Sequence, residues 1–316
     1  MTVIDLINSS KSTAFSFEIL PPLKGNSIQK VYNVIDKLIE FDPKYINITS
    51  HHSEYIYKTL PDGSFQKINI RKRPGSVAIA SAIQNKYGIT AVPHIICKGF
   101  TKDETEYALI DLNFLGVYDL LLLRGDVKTL EAGQKTDIYH EHATDLQKQV
   151  NDFNKGIAID GSAFEANETP FSYGMACYPE KHEEAPNMDS DIFYLKEKVK
   201  NGADYLVTQM FFDNEKYYAF VDRCRAEGIT VPIIPGIKPI VFKNQLTVLP
   251  KIFRSDIPEP FATELRKCKT DDEAKAVGVE WCIQQCKDLI AHGVPSLHFY
   301  TMMASDSVYK VAKEVY

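Results

Sequence analysis

The sequence predicts a single (β/α)8 barrel, the TIM-barrel class of α/β folds. Three observations carry this prediction: short apolar runs recur along the chain, helical segments separate them, and no Gly-x-Gly-x-x-Gly follows the first run. A βα unit repeated eight times closes naturally into such a barrel. A doubly wound sheet, the alternative architecture, usually carries that glycine motif after its first strand.

The apolar runs are predicted as strands because their shortness and their β-branched or leucine-rich composition favour a strand over a helix. They are Ala14–Leu20, Tyr45–Thr49, Thr90–Ile96, Asp119–Arg124, Phe171–Ala176, Tyr205–Met210, Val231–Ile237 and Ser296–Thr301. Glycines precede many of these runs, at the places where a helix gives way to a strand and a left-handed residue is favoured. These glycines are Gly88, Gly116, Gly202, Gly228 and Gly293.

Several helices between the strands have recognisable N-terminal signals. Thr101 and Glu104 have the spacing of a capping box and predict a helix that ends near Leu115. Ser27 is predicted to cap a helix over 28–40, and Asn214 a helix that ends near 227.

Two connections exceed the usual length of a barrel loop. They are His51–Gly75, after the second strand, and Val127–Pro170, after the fourth, which is predicted to hold a helix near His140–Asn154. Long connections on the strand-exit side are usually functional. We expect residues 1–316 to form one domain, since no linker or low-complexity tract divides them.

Composition narrows the possible functions. The 316 residues carry 36 Lys and Arg against 42 Asp and Glu, a net charge of −6, and 44% of them are hydrophobic. The acidic balance argues against a protein that binds nucleic acid or an anionic membrane through its charge. We also expect no membrane span and no secretory signal. The six cysteines form no Cys-x-x-Cys pair, which fits a reducing cytoplasm.

Polar residues follow the predicted strands, at the end of a barrel where active sites collect. Glu18 is the strongest candidate, because strand alternation separates it and Ser16 from the bulky Phe15, Phe17 and Ile19. The bulky face should meet the helices, so that Glu18 points into the barrel mouth. We expect burial to raise its pKa, as suits a general acid at neutral pH, although a salt bridge to Arg124 or a lysine is the structural alternative.

The fourth run ends abruptly in Arg124-Gly125-Asp126, where the glycine permits a ligand to approach the backbone and Asp126 can accept hydrogen bonds from a heterocycle. A cap or surface turn is the alternative for that segment. His94 lies on the third strand, where a core histidine is equally compatible with the pattern. Neither His51-His52 nor His140-Glu141-His142 has the spacing of a helical metal motif, so we expect no metal site.

At these positions the chain resembles the methylenetetrahydrofolate reductase family, in its bacterial form that has the catalytic domain only. Seven segments carry the resemblance in matching order: Phe17–Pro22, Pro93-His94, Leu123–Asp126, Ala176–His182, Thr208–Asp213, Ile234–Ile237 and His298–Thr301. One segment alone would be weak, but all of them fall at predicted strand exits.

The resemblance implies a flavin-dependent oxidoreductase that acts on a CH–NH group, with a barrel that holds FAD without a dinucleotide fingerprint. NADH or NADPH would reduce the flavin, which would then reduce 5,10-methylenetetrahydrofolate to 5-methyltetrahydrofolate by a ping-pong mechanism. Such an enzyme serves one-carbon metabolism and supplies methionine synthesis. The family also implies a cytoplasmic homo-oligomer, with folate and a nicotinamide nucleotide as its partners. Because the sequence ends at Tyr316, we expect no C-terminal regulatory domain of the eukaryotic type.

Site residues carry over from the family one by one. Glu18 is implied as the acid that helps to open the methylene bridge, and Asp126 as the residue that bonds the pterin and tunes the flavin. Gln209 is implied to grip the folate, with Gln245 and Tyr300 beside it. The implied flavin contacts are Thr49, His94, Arg124, Gly125, Asp126, Ala176, Tyr178, His182, Asp191 and Lys198.

The chain departs from the family in places. It reads Thr49-Ser50-His51-His52 where many relatives have Thr-Tyr-Gly-Ala, and Met302-Met303-Ala304 where relatives often have Asn and Arg. A basic cluster over Lys67–Arg73 is either a solvated surface or a site for the folate tail or a nucleotide phosphate. Two other functions stay open: a flavin-free folate-binding barrel of the methyltransferase type, and a non-catalytic folate-binding module.

Overall fold

The computed structural model describes residues 1–51, 54–125, 138–302 and 304–316. Two compact units divide the chain. The first comprises Met1–Ile19, Val34–Asn47 and Ser172–Tyr316, and the second comprises Leu20–Asn33 and Ile48–Phe171. The first unit contains most of the predicted site residues, from Glu18 to Tyr300.

Strands and helices alternate along most of the described chain. The strands are β1 (Ala14–Ile19), β2 (Tyr45–Ile48), β3 (Glu54–Thr59), β4 (Phe65–Ile70), β5 (Thr90–Ile96), β6 (Asp119–Leu123), β7 (Ser172–Cys177), β8 (Tyr205–Thr208), β9 (Ile233–Ile234), β10 (Gly236–Ile237) and β11 (Ser296–Tyr300). The helices are α1 (Val3–Ser9), α2 (Gln29–Leu38), α3 (Ser76–Tyr87), α4 (Lys102–Phe114), α5 (Ala143–Asn154), α6 (Met188–Lys200), α7 (Asn214–Ala226), α8 (Gln245–Phe253), α9 (Glu259–Lys267), α10 (Asp271–Ala291) and α11 (Ser305–Val315).

Nine strands form one sheet in the order β10-β11-β1-β2-β5-β6-β7-β8-β9. The two strands at the ends of this order, β9 and β10, are consecutive in sequence and flank Pro235, which lacks the N–H that a continuous strand would donate. They are the two halves of the predicted seventh strand. The strand order and the intervening helices confirm the (β/α)8 barrel class, and each of the eight predicted strands is present within two residues of its predicted bounds.

The alternation predicted for β1 is confirmed by its neighbours. Phe15 packs against the rings of Phe17, Phe299 and Tyr316, with centroids 5.3–5.7 Å apart, so this face of the strand is aromatic and buried. The register pairs Ser16 with His298 on the opposite face. Burying these rings is a large favourable contribution to the free energy of folding.

The capping signals are confirmed in part. Thr101 and Glu104 form the predicted capping box of α4, and the Ser27 Oγ accepts from the Gln29 N–H at 3.1 Å. The prediction that Asn214 caps α7 is wrong, because Asp213 occupies the N-cap and accepts from the Glu215 N–H. The helix predicted near 140–154 begins at Ala143, after an extended N-cap residue.

The five glycines predicted at helix ends all have positive φ, between 65° and 107°. They therefore supply the left-handed conformation that turns each helix toward the next strand. This part of the sequence prediction is confirmed.

The connection predicted over 51–75 is not an open loop in its described part. Strands β3 and β4 form an antiparallel hairpin, paired from Glu54–Ile70 to Thr59–Phe65. A turn at Asp62 closes the hairpin, where its Oδ1 accepts from the Ser64 N–H and Oγ. Of the second long connection, residues 138–170 are described and contain α5 and an isolated bridge between Ile157 and Ala163.

A second apolar cluster of the first unit lies beside α8, α9 and α10. Its buried members are Met210, Phe212, Ile240, Leu249, Phe261, Leu265, Cys268 and Ala274. Trp281 stacks on Phe261 with centroids 4.5 Å apart and donates from its indole N–H to the Phe212 carbonyl. This cluster anchors the residues that follow β8 and β10. Among the described helices, none is long and apolar enough to cross a membrane.

Candidate active site

Glu18 lies near the carboxyl end of β1 and is 7% exposed. The strand register pairs it directly with Tyr300 on β11. Paired residues of neighbouring parallel strands point to the same face of a sheet, so both side chains occupy the face opposite the aromatic one. Thr301 fixes the end of β1 because its Oγ1 donates to the Glu18 carbonyl at 2.5 Å. Glu18 is thus a buried carboxyl held on a rigid strand, as predicted.

Tyr300 spans the gap between strands. Its hydroxyl donates to the Thr208 carbonyl at 2.6 Å, at the end of β8. Gly236 makes room for this ring, since a Cβ there would lie 2.3 Å from the same carbonyl and 2.5 Å from the ring. Burial, together with the negative charge of Glu18, raises the pKa of Tyr300 well above its usual value. The phenol is therefore neutral at neutral pH, and its hydroxyl hydrogen is used in the bond to the Thr208 carbonyl.

A polar layer lies one step deeper on the same strands. The Ser16 Oγ is 2.9 Å from the His298 Nδ1, and the Tyr45 ring stacks on His298 with an interplanar angle of 4°. His298 is fully buried, and burial lowers its pKa to about 3. Burial also raises the pKa of Tyr45 to about 12. This layer is uncharged at neutral pH.

Three residues of the predicted flavin set lie in the segment after β7 or in the first turn of α6, which follows it. The Tyr178 and His182 rings meet edge to face with centroids 4.7 Å apart. The Asp191 Oδ2, in the first turn of α6, accepts from the His182 N–H at 2.8 Å. The structure therefore brings these three residues together. Lys181 between them has a positive φ of 76°, an uncommon conformation for a lysine.

Lys198 and Ala176 are also adjacent. The Lys198 Nζ donates to the Ala176 carbonyl at 3.0 Å, next to the carboxyl end of β7. A cation at a strand end of this sheet could bind a phosphate or another anion.

Glu180 anchors the same segment, although nothing in the sequence distinguishes it from the other residues of its motif. Its Oε1 lies 2.6 Å from the Lys216 Nζ, and both of its carboxylate oxygens accept from the Asp256 N–H. Burial raises the pKa of Glu180, against the opposing effect of Lys216. The arrangement is structural, because it ties the segment after β7 to α7 and to the residues before α9.

The two predicted folate glutamines differ in their contacts. The Gln209 Oε1 accepts from the Met210 N–H at 2.9 Å, just after β8. The Gln245 Oε1 accepts from the N–H groups of Val241 and Phe242 at 2.7 and 3.0 Å. Because its oxygen closes the turn before α8, Gln245 could offer a ligand only its amide NH2.

The remaining predicted flavin contacts belong to the second unit. Thr49 follows β2, and His94 lies on β5, 3% exposed. The Ser50 Oγ donates to the His94 carbonyl at 2.5 Å. Arg124 and Gly125 follow β6, where Gly125 has a φ of 82° and its missing Cβ would lie 3.3 Å from the Ile96 side chain. Each of these residues lies at or near the carboxyl end of its strand, as predicted.

Some predictions fall elsewhere. Asp126 and His52 lie outside the described residues. His140 is buried, with its Nε2 2.5 Å from the Gln149 Oε1. Among residues 1–51, 54–125, 138–302 and 304–316, no group of three or more His, Cys, Asp or Glu side chains could hold a metal ion.

Lys238 is a functional candidate that the sequence analysis missed. It directly follows β10, whose last register pair joins Ile237 to Phe299, and continuing that register by one residue brings Lys238 level with Tyr300. We call Glu18, Tyr300 and Lys238 the mouth row. The available signal was parity: Lys238 comes two residues after Gly236 and one residue after the predicted strand ends, so strand alternation assigns it to the same face as Gly236.

Comparisons with known proteins agree with this architecture. The family described as methylenetetrahydrofolate reductase matches residues 3–316. The 5,10-methylenetetrahydrofolate reductase of Escherichia coli is 30% identical over 94% of this chain and 88% of its own length. That of Buchnera aphidicola is 31% identical over 98% of this chain and 93% of its own length. Methylenetetrahydrofolate reductase (NADH) 1 of Arabidopsis thaliana is 30% identical over 97% of this chain.

The chain spans less than half the length of the eukaryotic relatives that it matches, 43% to 49%. Among solved structures, a Clostridium thermocellum protein described as binding two copies of 5-methyl-5,6,7,8-tetrahydrofolic acid aligns over 99% of both chains. Its TM-score is 0.55 and its identity is 14%, a likeness of fold. Because the family matches nearly the whole length of this chain, the chain belongs to the methylenetetrahydrofolate reductase family.

Proposed function

We propose that this protein reduces 5,10-methylenetetrahydrofolate to 5-methyltetrahydrofolate, with NADH or NADPH as the hydride donor and FAD as the carrier, in a ping-pong cycle. The observation that carries the proposal is Glu18, a buried carboxyl in the mouth row of a chain of this family. The product would supply methionine synthesis.

The residues of the first unit fit a flavin nucleotide by their chemistry. Lys198 offers a cation beside the end of β7, and Tyr178 and His182 offer an aromatic pair next to it. A pyrophosphate requires a cation and polar donors, and an aromatic ring requires an apolar surface. We propose that Ala176, Tyr178, His182, Asp191 and Lys198 contact FAD. Thr49, His94, Arg124, Gly125 and Asp126 stay predictions for the same role.

The chemistry that FAD supplies when bound is the storage of a hydride between two substrates that react in turn. The protein's part is to bind and orient each substrate and to move a proton at the folate. Tyr300 stays neutral over the reaction because its hydroxyl is committed to the Thr208 carbonyl. We propose that its ring forms part of the surface on which the pterin lies.

Glu18 supplies the proton. In 5,10-methylenetetrahydrofolate one carbon bridges two nitrogens, and breaking one C–N bond leaves its electron pair on the departing nitrogen. We propose that Glu18 protonates this nitrogen while the other nitrogen forms the iminium that accepts the hydride. A buried carboxyl on a rigid strand can keep its proton at neutral pH and deliver it in one direction.

Gln209 and Gln245 are proposed to bind the folate through their amides. Gln209 lies at the end of β8 beside the carbonyl that Tyr300 binds, so its position follows from the same strand end. The contribution of Gln245 would rest on its NH2 group alone.

The test is an anaerobic visible spectrum of the purified protein, titrated with NADH, then NADPH, then methylenetetrahydrofolate. We expect a flavin band that bleaches with a nucleotide and returns with the folate. A colourless protein that neither takes up added FAD nor turns over would overturn the proposal and favour the flavin-free barrel. A yellow protein that binds folate without turnover would favour the non-catalytic module.

We further propose that the protein acts in the cytoplasm, as one catalytic domain that assembles into a homo-oligomer. Light scattering at several protein concentrations tests the assembly. A mass equal to one 35.8 kDa chain at every concentration would contradict it.

A further inference from the structure

Lys238 is a buried cation that the proposed reaction does not yet use. Its side chain is 9% exposed, although lysine is almost never buried without a partner. Within the described parts of the chain, its ammonium has no hydrogen bond and no ion pair. An ammonium in this position costs free energy unless a nearby charge or a ligand compensates it.

Glu18 is the charged residue that acts on the pKa of Lys238. Burial lowers the pKa of Lys238, and the negative charge of Glu18 opposes that change. The sheet gives the geometric reason, because β10, β11 and β1 are neighbours, Glu18 is paired with Tyr300, and Lys238 directly follows β10.

The other titratable groups around this row stay uncharged at neutral pH. On β11, burial raises the pKa of Tyr300 and lowers that of His298 to about 3. On β2, burial raises the pKa of Tyr45 to about 12. At the end of β7, burial raises the pKa of the Cys177 thiol well above its usual value. Among the described residues, the mouth row therefore holds one acid, Glu18, and one base, Lys238, whose charges act on each other.

We propose that Lys238 is a positioning residue for the acid: the charges of Lys238 and Glu18 act on each other across the mouth row, so that their titrations are coupled, and Lys238 sets the pH range in which Glu18 can donate. The expected effect on the kinetics of folate reduction rests on the proposed function. The interaction between Lys238 and Glu18 rests on the mouth row alone. Interacting sites of this kind titrate as a unit.

The proton balance is simple. The Glu18 carboxyl gives its proton to the departing nitrogen as the C–N bond breaks, and the carboxylate that remains lies in the same row as the Lys238 ammonium. The cation stabilises this carboxylate, which makes Glu18 a stronger acid, and solvent returns the proton after the product leaves. Without the cation, Glu18 would hold its proton to higher pH and release it less readily.

The first test is the pH dependence of the folate half-reaction, measured in a stopped-flow instrument with prereduced enzyme. Lys238→Met keeps the length of the side chain and removes the charge. We expect the high-pH limb of the profile to move upward by about one unit or more, the usual effect of losing an opposite charge nearby. Lys238→Arg should restore the original limb, and the nicotinamide half-reaction should keep its profile.

Lys251→Met, an exposed lysine on α8, is the matched control and should leave both profiles unchanged. An unchanged folate profile in Lys238→Met would overturn the inference, because a merely structural lysine would alter the rate without moving the limb.

A second test needs no turnover. Lysine labelled with ¹³C at its ε carbon reports each ammonium by NMR, and the signal that disappears in Lys238→Arg identifies Lys238. We expect Glu18→Gln to lower the pKa of Lys238 measured in this titration, since the compensating negative charge is gone. A pKa that does not move would overturn the pairing. If the protein fails to reduce folate while this shift is observed, the proposed function fails and the pairing stands.

Discussion

Two parts of the first unit hold the proposed site in different ways. The wall formed by β10, β11 and β1 carries the mouth row and the polar layer beneath it, and its residues are placed by strand register. The segment after β7, residues 178–187, carries Tyr178 and His182, and these are placed by contacts with other elements: Asp191 on α6 and the ion pair between Glu180 and Lys216.

The comparison shows why the wall suits proton chemistry and the segment suits cofactor binding. A strand residue cannot move without breaking ladder hydrogen bonds, so its burial and charge environment are fixed. A loop residue is positioned by a few side-chain contacts and can adjust to a ligand. The following predictions test each side of this contrast.

The largest expected effect concerns the buried layer of the wall. His298 has a pKa of about 3 in the folded protein, below its usual 6.5, so the unfolded chain binds more protons between these values. Stability is therefore fully present above pH 6.5 and is lost as the pH falls toward 3. We expect His298→Asn to remove about 3–5 kcal/mol of this pH dependence, measured by urea unfolding at successive pH values.

Ser16→Ala, which removes the hydroxyl beside the His298 Nδ1 and keeps the buried imidazole, is the control for that experiment. It should leave the slope of stability against pH nearly as it is in the unmodified protein. An equal slope in the His298 variant would mean that the buried layer does not hold its histidine neutral.

The next effect concerns the acid of the mouth row. Glu18→Gln keeps the shape of the side chain and removes its proton, so we expect the folate half-reaction to fall by at least ~10²-fold, the usual scale of a general acid. Flavin reduction by the nicotinamide nucleotide should change little. Single-turnover kinetics separate the two half-reactions, with exposed Glu264→Gln as the control. Equal loss in both would contradict the role of Glu18.

A smaller effect tests the packing of the wall. Gly236→Ala places a methyl group 2.3 Å from the Thr208 carbonyl, where backbone and the Tyr300 ring leave no room. We expect a loss of about 1–3 kcal/mol in the free energy of unfolding, the usual cost of overpacking. Chemical denaturation measures it, and an unchanged midpoint would show that Tyr300 does not need the space above Gly236.

The smallest effect belongs to the segment after β7. Lys198→Met removes the cation beside the Ala176 carbonyl, and we expect FAD affinity to fall about tenfold, equal to about 1.4 kcal/mol. Fluorescence titration of the flavin-free protein measures the affinity. Lys196→Met removes a neighbouring lysine that pairs with Glu227, and it should bind FAD as the unmodified protein does. Similar affinities for both variants would exclude Lys198 from the cofactor site.

Local signals account for most of the correct predictions from sequence. The capping box of Thr101, the positive φ of five glycines and the face alternation of β1 all depend on residues within a few positions of each other. These patterns follow from backbone geometry and hydrophobic burial, and these preferences act on a short segment whatever the rest of the chain does. The inward position of Glu18 is the same kind of inference, applied to one strand.

Two features escaped prediction from the sequence. The connection over 51–75 was predicted only as a long loop, and its described part forms the hairpin β3–β4. Asp213 took the cap from Asn214, whose amide instead donates to the Gln285 carbonyl on α10. For Asn214, a contact with a helix distant in sequence therefore accompanies the change of cap, and no local pattern around 214 could reveal it.

By itself, then, the sequence determined the eight strands, the helix ends and the inward face of β1, since each rests on short-range periodicity. Only the tertiary structure decided the electrostatic character of the site. Glu18, Tyr300 and Lys238 are far apart in sequence, and the adjacency of β1, β11 and β10 in the sheet brings them into one row. Charge interactions depend on distance and on exclusion of water, and both exist only after the strands have assembled.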